Sequence, residues 1–173
     1  MAQDAVDSVG DEQWSRASTC EGWSVEDVVR HLVEGNERLA QALDAEVPPA
    51  ADDGWTARLR SSARAVAQGL SEPGALDRPV TVPAGTLPGA AVVGLRTVEN
   101  LVHGWDVATS TGRRLDVPDE LVAHADRLTR QLLERLPPGR TPFAPPTTPA
   151  PDATPLDRLA ALLGRRPPTC LPM

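Results

Sequence analysis

Residues 88–112 read PGAAVVGLRTVENLVHGWDVATSTG, and this stretch decides the fold. A proline stands near its start and a glycine just past its end, which is the usual order of signals at the two ends of a helix. Apolar side chains recur between them at helical spacing, at Val92, Val93, Leu95, Val98, Leu101, Val102, Trp105 and Val107. A helix with so many apolar positions is expected at the centre of a helical bundle.

Three further segments have a helical pattern of apolar residues. The segment from 24 to 44 begins with Ser24 as the predicted N-cap and Asp27 at the third helical position, where a carboxylate can accept from free backbone N–H groups. Residues 55–70 and 119–136 complete a set of four long helices. The sequence therefore predicts an all-α chain folded as a four-helix bundle.

The remaining segments are short or rich in proline. Residues 5–14 predict a short helical stretch, and residues 76–87 predict a loop or a short extended hairpin, because they contain both proline and glycine. Residues 137–155 predict an extended proline-rich connection. A short final helix, PLDRLAALLG, is expected to dock on the bundle, so we expect one helical domain over residues 1–173.

Composition excludes several classes of function. The net charge is −7 and the basic residues form no stripe, which disfavours nucleic-acid binding. The first residues are acidic, and no apolar run approaches the roughly 20 residues that cross a bilayer, so we predict a cytoplasmic protein without a membrane partner. Cys20 and Cys170 lie far apart, and they predict neither a disulfide framework nor a thiolate zinc site.

Two histidines and a glutamate are the candidate metal ligands. Glu99 and His103 lie four residues apart on the central helix, so both project from one face. His31 lies on another predicted helix, and bundle metal sites draw inward-facing residues from different helices. This donor set suits Zn, Ni, Fe(II) or Mn and leaves coordination positions open. Spacing alone also permits a surface or core pair and a structural His31.

Three neighbours of these residues are candidates for substrate binding or for orienting a ligand. Arg96 and Asn100 share part of the helix face with Glu99 and could contact substrate, although Arg96 could equally be a solvated charge. Asp106 could orient His103 as a hydrogen-bond acceptor, or could serve in a salt bridge or at the helix end.

Other chemically capable residues have plainer interpretations. Cys20 is expected to be a small buried residue, and Trp23 and Trp105 are expected in the core or in a pocket wall. His124 is interpreted as a non-ligand because the donor set is complete without it. Arg165 receives no chemical role.

The stretches TCEGWSVEDVVRHL (19–32), TVENLVHGWDVATSTGRRL (97–115) and TPLDRLAALLGRRP (154–167) together resemble the mycothiol-dependent maleylpyruvate isomerase N-terminal domain group. This group belongs to the DinB-like metalloprotein superfamily. The resemblance implies a divalent metal, typically zinc, held by the histidine after C-x-G-W and by the E-x-x-x-H pair. Those residues are His31, Glu99 and His103.

The resemblance also implies a reaction class. The resemblance implies that the protein acts on a small molecule as a transferase or isomerase and uses mycothiol or another low-molecular-weight thiol. It assigns no catalytic residues. Two-domain members carry a further C-terminal domain that contributes to catalysis, so the resemblance does not imply isomerisation of maleylpyruvate itself. A metal-dependent small-molecule hydrolase and a non-catalytic metal- or ligand-binding stress or resistance protein are the alternatives.

Family members also have a longer helical run before the segment that corresponds to DEQW. We therefore expect either a homodimer that completes the bundle or a different start of the chain.

Overall fold

The computed structural model describes residues 1–82, 85–135 and 143–166. Within these ranges the chain forms six α-helices and one β-hairpin, with a 3₁₀ turn between the first two helices. In chain order the elements are α1 (Ala2–Asp7), the 3₁₀ turn (Asp11–Gln13), α2 (Val25–Ala42), α3 (Trp55–Ser71), β1 (Pro79–Val82), β2 (Gly85–Pro88), α4 (Gly89–Ser110), α5 (Asp119–Arg135) and α6 (Pro155–Leu162). The mainly helical character predicted for the chain is confirmed, and the four-helix bundle stays a prediction.

The start of α2 follows from two side chains. The Asp27 N–H donates to the hydroxyl of Ser24 at 3.1 Å, and the Ser24 N–H donates to the Asp27 carboxylate at 2.9 Å. These reciprocal bonds satisfy donors that the helix itself leaves free. The predicted cap is therefore confirmed.

The predicted short helix over residues 5–14 is divided in the structure. The Ser8 hydroxyl donates to the Ala5 carbonyl at 2.7 Å as α1 ends. Gly10 then starts the 3₁₀ turn, and its N–H donates to the Gln13 side chain at 2.9 Å. Serine and glycine favour helix ends over helix interiors, which explains the division.

The segment from 76 to 87, for which loop and hairpin were both expected, contains a hairpin. Strands β1 and β2 pair antiparallel, with Pro79 opposite Pro88 and Val82 opposite Gly85. The Thr81 and Thr86 hydroxyls lie 3.1 Å apart on one face of the pair. Residues 83–84 lie outside the described ranges.

The chain divides into two compact units, one of residues 1–28 with 97–173 and one of residues 29–96. The core of the first unit is built by α4, α5 and α6 and includes Leu101, Trp105, Val122, Leu159 and Leu163. The core of the second unit includes Leu39, Val66, Val80 and Val92. Each large apolar side chain that is fully buried contributes roughly 1.5–3 kcal/mol relative to exposure. The single domain over residues 1–173 stays a prediction.

The final helix begins where the sequence places it. Pro155 occupies its first turn, and the Thr154 hydroxyl accepts from the Asp157 N–H at 3.2 Å. Before it, residues 143–154 contain no helix or strand, as expected for the proline-rich connection; residues 137–142 and Leu136 lie outside the described ranges. Within the described ranges, no helix has the length and apolar character needed to cross a bilayer.

Gly164 turns the chain sharply after α6. Its φ is +82°, and a Cβ at this position would lie 2.6 Å from the carbonyl oxygen of Ala144. The Arg165 N–H donates back to the Ala160 carbonyl at 3.0 Å. A residue with a side chain therefore meets both backbone strain and a backbone clash here.

We expect Gly164→Ala to lower the free energy of unfolding by more than the roughly 1–2 kcal/mol that a left-handed backbone costs a residue with a Cβ. Gly74→Ala is the matched control, because Gly74 has φ +76° but nothing within 4 Å of its Cβ position. Urea unfolding of both variants measures the difference. Equal losses would contradict the close approach to Ala144.

Candidate functional site

A buried hydrogen bond between two side chains of α4 forms the centre of the candidate site. His103 Nδ1 lies 3.0 Å from Asp106 Oδ2, and the two side chains are 9% and 0% exposed. An ionised carboxylate can only accept, so Nδ1 of His103 carries the donated proton. In the neutral imidazole the other ring nitrogen, Nε2, then keeps its lone pair and can bind a cation.

Two further residues donate to the Asp106 carboxylate. The Thr19 hydroxyl donates to Oδ1 at 2.6 Å, and the Arg165 guanidinium donates through Nε to Oδ1 at 3.4 Å and through Nη2 to Oδ2 at 3.3 Å. Burial alone would raise the pKa of Asp106, but the hydrogen bond from His103 and the charge of Arg165 outweigh it and hold this pKa below its ordinary value. The carboxyl is therefore ionised at neutral pH.

Residues 17–24 form the loop that brings Thr19 to this carboxylate. Ala17 and Ser24 form an isolated antiparallel bridge, and the Ser18 N–H donates to the Trp23 carbonyl at 2.7 Å. The Thr19 N–H donates to the hydroxyl of Ser110 on α4 at 3.1 Å. These bonds fix the loop on α4.

The same loop places an indole against the imidazole. The Trp23 and His103 rings are nearly parallel, with an interplanar angle of 12° and ring centroids 6.1 Å apart. This separation lies within the range of offset stacked rings. Trp23 and Asp106 together restrict the orientation of the His103 ring.

Cys20 lies beside this network with its thiol in contact with Arg165. The Arg165 Nη2 donates to the Cys20 Sγ at 3.8 Å. Burial raises the pKa of the Cys20 thiol, an effect that the Arg165 charge opposes without reversing. The protonated thiol is therefore favoured over the thiolate that a nucleophile requires.

Arg96 contacts polar groups of the unit formed by residues 29–96. Its Nη2 donates to Asn36 Oδ1 at 2.7 Å, and Asn36 in turn donates to the Ser62 hydroxyl at 3.3 Å. Gly35 leaves space for the guanidinium, since a Cβ there would lie 2.8 Å from Arg96 Nη1. A role of Arg96 in substrate binding stays a prediction.

The other predicted residues lie on the helices expected for them. Glu99 and Asn100 are half-buried on α4, and His31 is half-buried on α2. His124 is exposed on α5. Across residues 1–82, 85–135 and 143–166, no three His, Cys, Asp or Glu side chains form a group placed to hold a metal ion. The three-residue metal site of His31, Glu99 and His103 thus stays a prediction.

Sequence reasoning assigned no role to Thr19 or Arg165. Both donate to Asp106, from positions 87 and 59 residues away along the chain. Their only signal in the sequence is that each lies in one of the three stretches that carry the family resemblance.

Comparison with known proteins identifies the family. Residues 2–108 match the family described as the mycothiol maleylpyruvate isomerase N-terminal domain. The chain belongs to this family. The match includes the loop of residues 17–24, α2, and α4 as far as residue 108, so it includes Asp106. The matched range therefore contains every residue predicted for the metal site, namely His31, Glu99 and His103.

Two similar relatives are uncharacterized proteins of Mycobacterium tuberculosis, from strains CDC 1551 and H37Rv. Each is 33% identical to this chain over 171 residues, which cover 95% of this chain and 93% of the relative. The similarity to these relatives thus extends well beyond the family match at residue 108. No solved structure matches the chain at a significant level.

Proposed function

We propose that this protein is a divalent-metal-dependent enzyme that joins a low-molecular-weight thiol of the mycothiol type to a small electrophile, or uses that thiol to isomerise one. The observation that carries the proposal is the hydrogen bond between His103 Nδ1 and Asp106, because it selects the tautomer in which Nε2 is the nitrogen with the lone pair. Family membership supplies the association with mycothiol.

The proposal includes the arrangement predicted from the sequence. In a four-helix bundle, His31 of α2 would join Glu99 and His103 of α4 around one ion. Two imidazoles and one carboxylate form a ligand set that suits zinc. Such an ion supplies Lewis acidity and lowers the pKa of a thiol that binds to it.

The chain's own residues would prepare His103 for this role. A histidine ligand commonly donates its second ring N–H to a carboxylate, which fixes the tautomer and the ring orientation. Asp106 is placed to accept that bond, and Thr19 and Arg165 hold Asp106 in turn. The Trp23 ring lies nearly parallel to the His103 ring in an offset stack.

Thiol consumption tests the proposal. Zinc-loaded protein is incubated with mycothiol and a small panel of electrophiles that comprises an aryl chloride, an α,β-unsaturated ketone and a cis-α,β-unsaturated acid. With the aryl chloride, a carbon–sulfur bond forms, chloride leaves and the thiol proton passes to buffer. We expect a thiol-dependent rate that falls at least about 100-fold in His103→Ala. Loss of a residue that is only hydrogen-bonded to a metal ligand already lowers metal affinity or activity by roughly 10- to 100-fold.

His124→Ala is the matched control, because His124 is exposed on α5 and outside the predicted ligand set. It should keep the wild-type rate. Product formation that needs water and no thiol would favour a hydrolase over our proposal. Binding of zinc without turnover of any probe would favour a non-catalytic binding protein.

A further inference from the structure

A cleft of about 380 Å³ lies beside the C-terminal end of α4. Its lining comes from two segments of one compact unit, residues 105–115 and residues 149–157. Small-molecule sites in proteins have volumes of roughly 300–1,000 Å³. The cleft is therefore large enough for a small organic molecule.

This cleft is separate from the Asp106 network. Trp105 and Thr109 line the cleft, whereas His103 and Asp106 form the network. At 3.6 residues per turn, Trp105 lies about 200° around the helix axis from His103. The two features thus use different residues of α4, although Asp106 and Thr109 are only about 60° apart around the axis.

Apolar and charged side chains both line the cleft. Trp105, Leu115 and Leu156 supply apolar surface, and Arg113 and Arg114 follow the end of α4 with exposed side chains. Cations are favoured near the C-terminus of a helix. The helix end alone, however, does not explain the apolar side chains beside them.

The two arginines line the cleft together with two acids. Asp152 and Asp157 also line it, yet within the described part of the chain neither arginine forms an ion pair or a side-chain hydrogen bond. The Asp157 carboxylate accepts instead from Trp105 Nε1 at 2.8 Å and from the Thr154 hydroxyl.

The charge balance limits what the cleft can hold. Burial alone would raise the pKa of Asp157, but hydrogen bonds from Thr154 and Trp105 and the charge of Arg114 bring this pKa below its ordinary value. Asp157 is therefore ionised at neutral pH, and two carboxylates face two guanidinium groups. A ligand with one negative charge is favoured over a polyanion, which the two carboxylates would repel.

We propose that this cleft binds a small organic monocarboxylate. Arg113 and Arg114 hold the carboxylate group, because the planar guanidinium presents paired N–H donors that match two carboxylate oxygens. The apolar body of the ligand lies against Trp105 and Leu115. This site is independent of the proposed thiol chemistry at His103.

Calorimetric titration of the 173-residue protein with benzoate tests the proposal. Benzyl alcohol has the same ring without the charge, and inorganic phosphate has charge without the ring, so neither should bind. We expect saturable benzoate binding that weakens at least about tenfold in the double variant Arg113→Gln/Arg114→Gln, because hydrogen bonds to charged groups are lost. The NMR signal of the Trp105 indole N–H should shift as benzoate binds to the wild type.

Arg64→Gln is the matched control, since Arg64 is an exposed arginine on α3 outside the cleft. It should bind benzoate as the wild type does. Absence of saturable benzoate binding would overturn the proposal. So would benzoate binding that the double substitution leaves unchanged, or phosphate binding that is equally tight.

Discussion

Replacing Asp106 with alanine should lower the free energy of unfolding by about 3–5 kcal/mol, the usual cost of removing one partner from a buried ion pair. The Asp106 side chain is fully buried, and Arg165 is 8% exposed. Without the Asp106 carboxylate, the Arg165 guanidinium stays charged and buried but has lost its ionic partner. Thr19 and His103 each lose an acceptor as well. Urea unfolding at pH 7 measures the change.

Two variants make this result interpretable. Asp106→Asn should lose less stability than Asp106→Ala, because its carbonyl oxygen still accepts from Thr19 or His103. Asp126→Ala removes an ion pair with Arg130 whose side chains are 32% and 59% exposed, and it should cost less than about 1 kcal/mol. If Asp106→Ala cost no more than Asp126→Ala, the buried network would not be a determinant of stability.

The parts of the fold that the sequence predicts well depend on residues that are close in the chain. Ser24 and Asp27 form the cap of α2 three residues apart, and the apolar spacing on α4 identifies a helix that supplies Leu101 and Trp105 to a core. The hairpin was harder to predict, because Pro79 and Pro88 weaken a strand signal and left loop and hairpin both open. Pairing across the hairpin, from Pro79 to Pro88, decides between them.

The polar network could be predicted only in part, because its bonds join distant segments. The sequence allows three interpretations of Asp106: an acceptor for His103, a partner in a salt bridge or a residue with a role at the helix end. The structure contains the first two, since the carboxylate accepts from His103 and from Arg165. Apolar periodicity carries no information about which arginine reaches a buried carboxylate. Gly164 shows the same limit, because its close approach to Ala144 depends on where the proline-rich connection passes.

The network also bears on how Cys20 is interpreted. A half-buried thiol 3.8 Å from a guanidinium could be activated as a thiolate. Burial nevertheless raises the pKa of Cys20, and the nearby Asp106 carboxylate acts in the same direction. The Arg165 guanidinium donates mainly to Asp106, so its charge is shared between that carboxylate and the Cys20 thiol. The sulfur for the proposed chemistry is thus expected from a small-molecule thiol.

Metal content gives the second large effect that we expect. Wild-type protein loaded with zinc and freed of excess metal should hold about one ion per chain, the usual content of a site with three protein ligands. In His103→Ala and in His31→Ala, zinc affinity should fall by more than roughly 10- to 100-fold. That is the usual cost of losing a residue that is hydrogen-bonded to a metal ligand. Elemental analysis against protein concentration measures the content, and competition with a chelator measures the affinity.

The third histidine supplies the control for this measurement, and Asp106 supplies an intermediate case. His124→Ala should keep the wild-type metal content, because His124 is exposed on α5. Asp106→Asn should bind zinc more weakly by about 10- to 100-fold, since its carbonyl can still accept from His103 Nδ1 but no longer carries a charge. Graded losses in this order would separate a ligand from the residue that orients it. Undiminished zinc in both His31→Ala and His103→Ala would contradict the ligand assignment, because neither imidazole would then be needed to hold the ion.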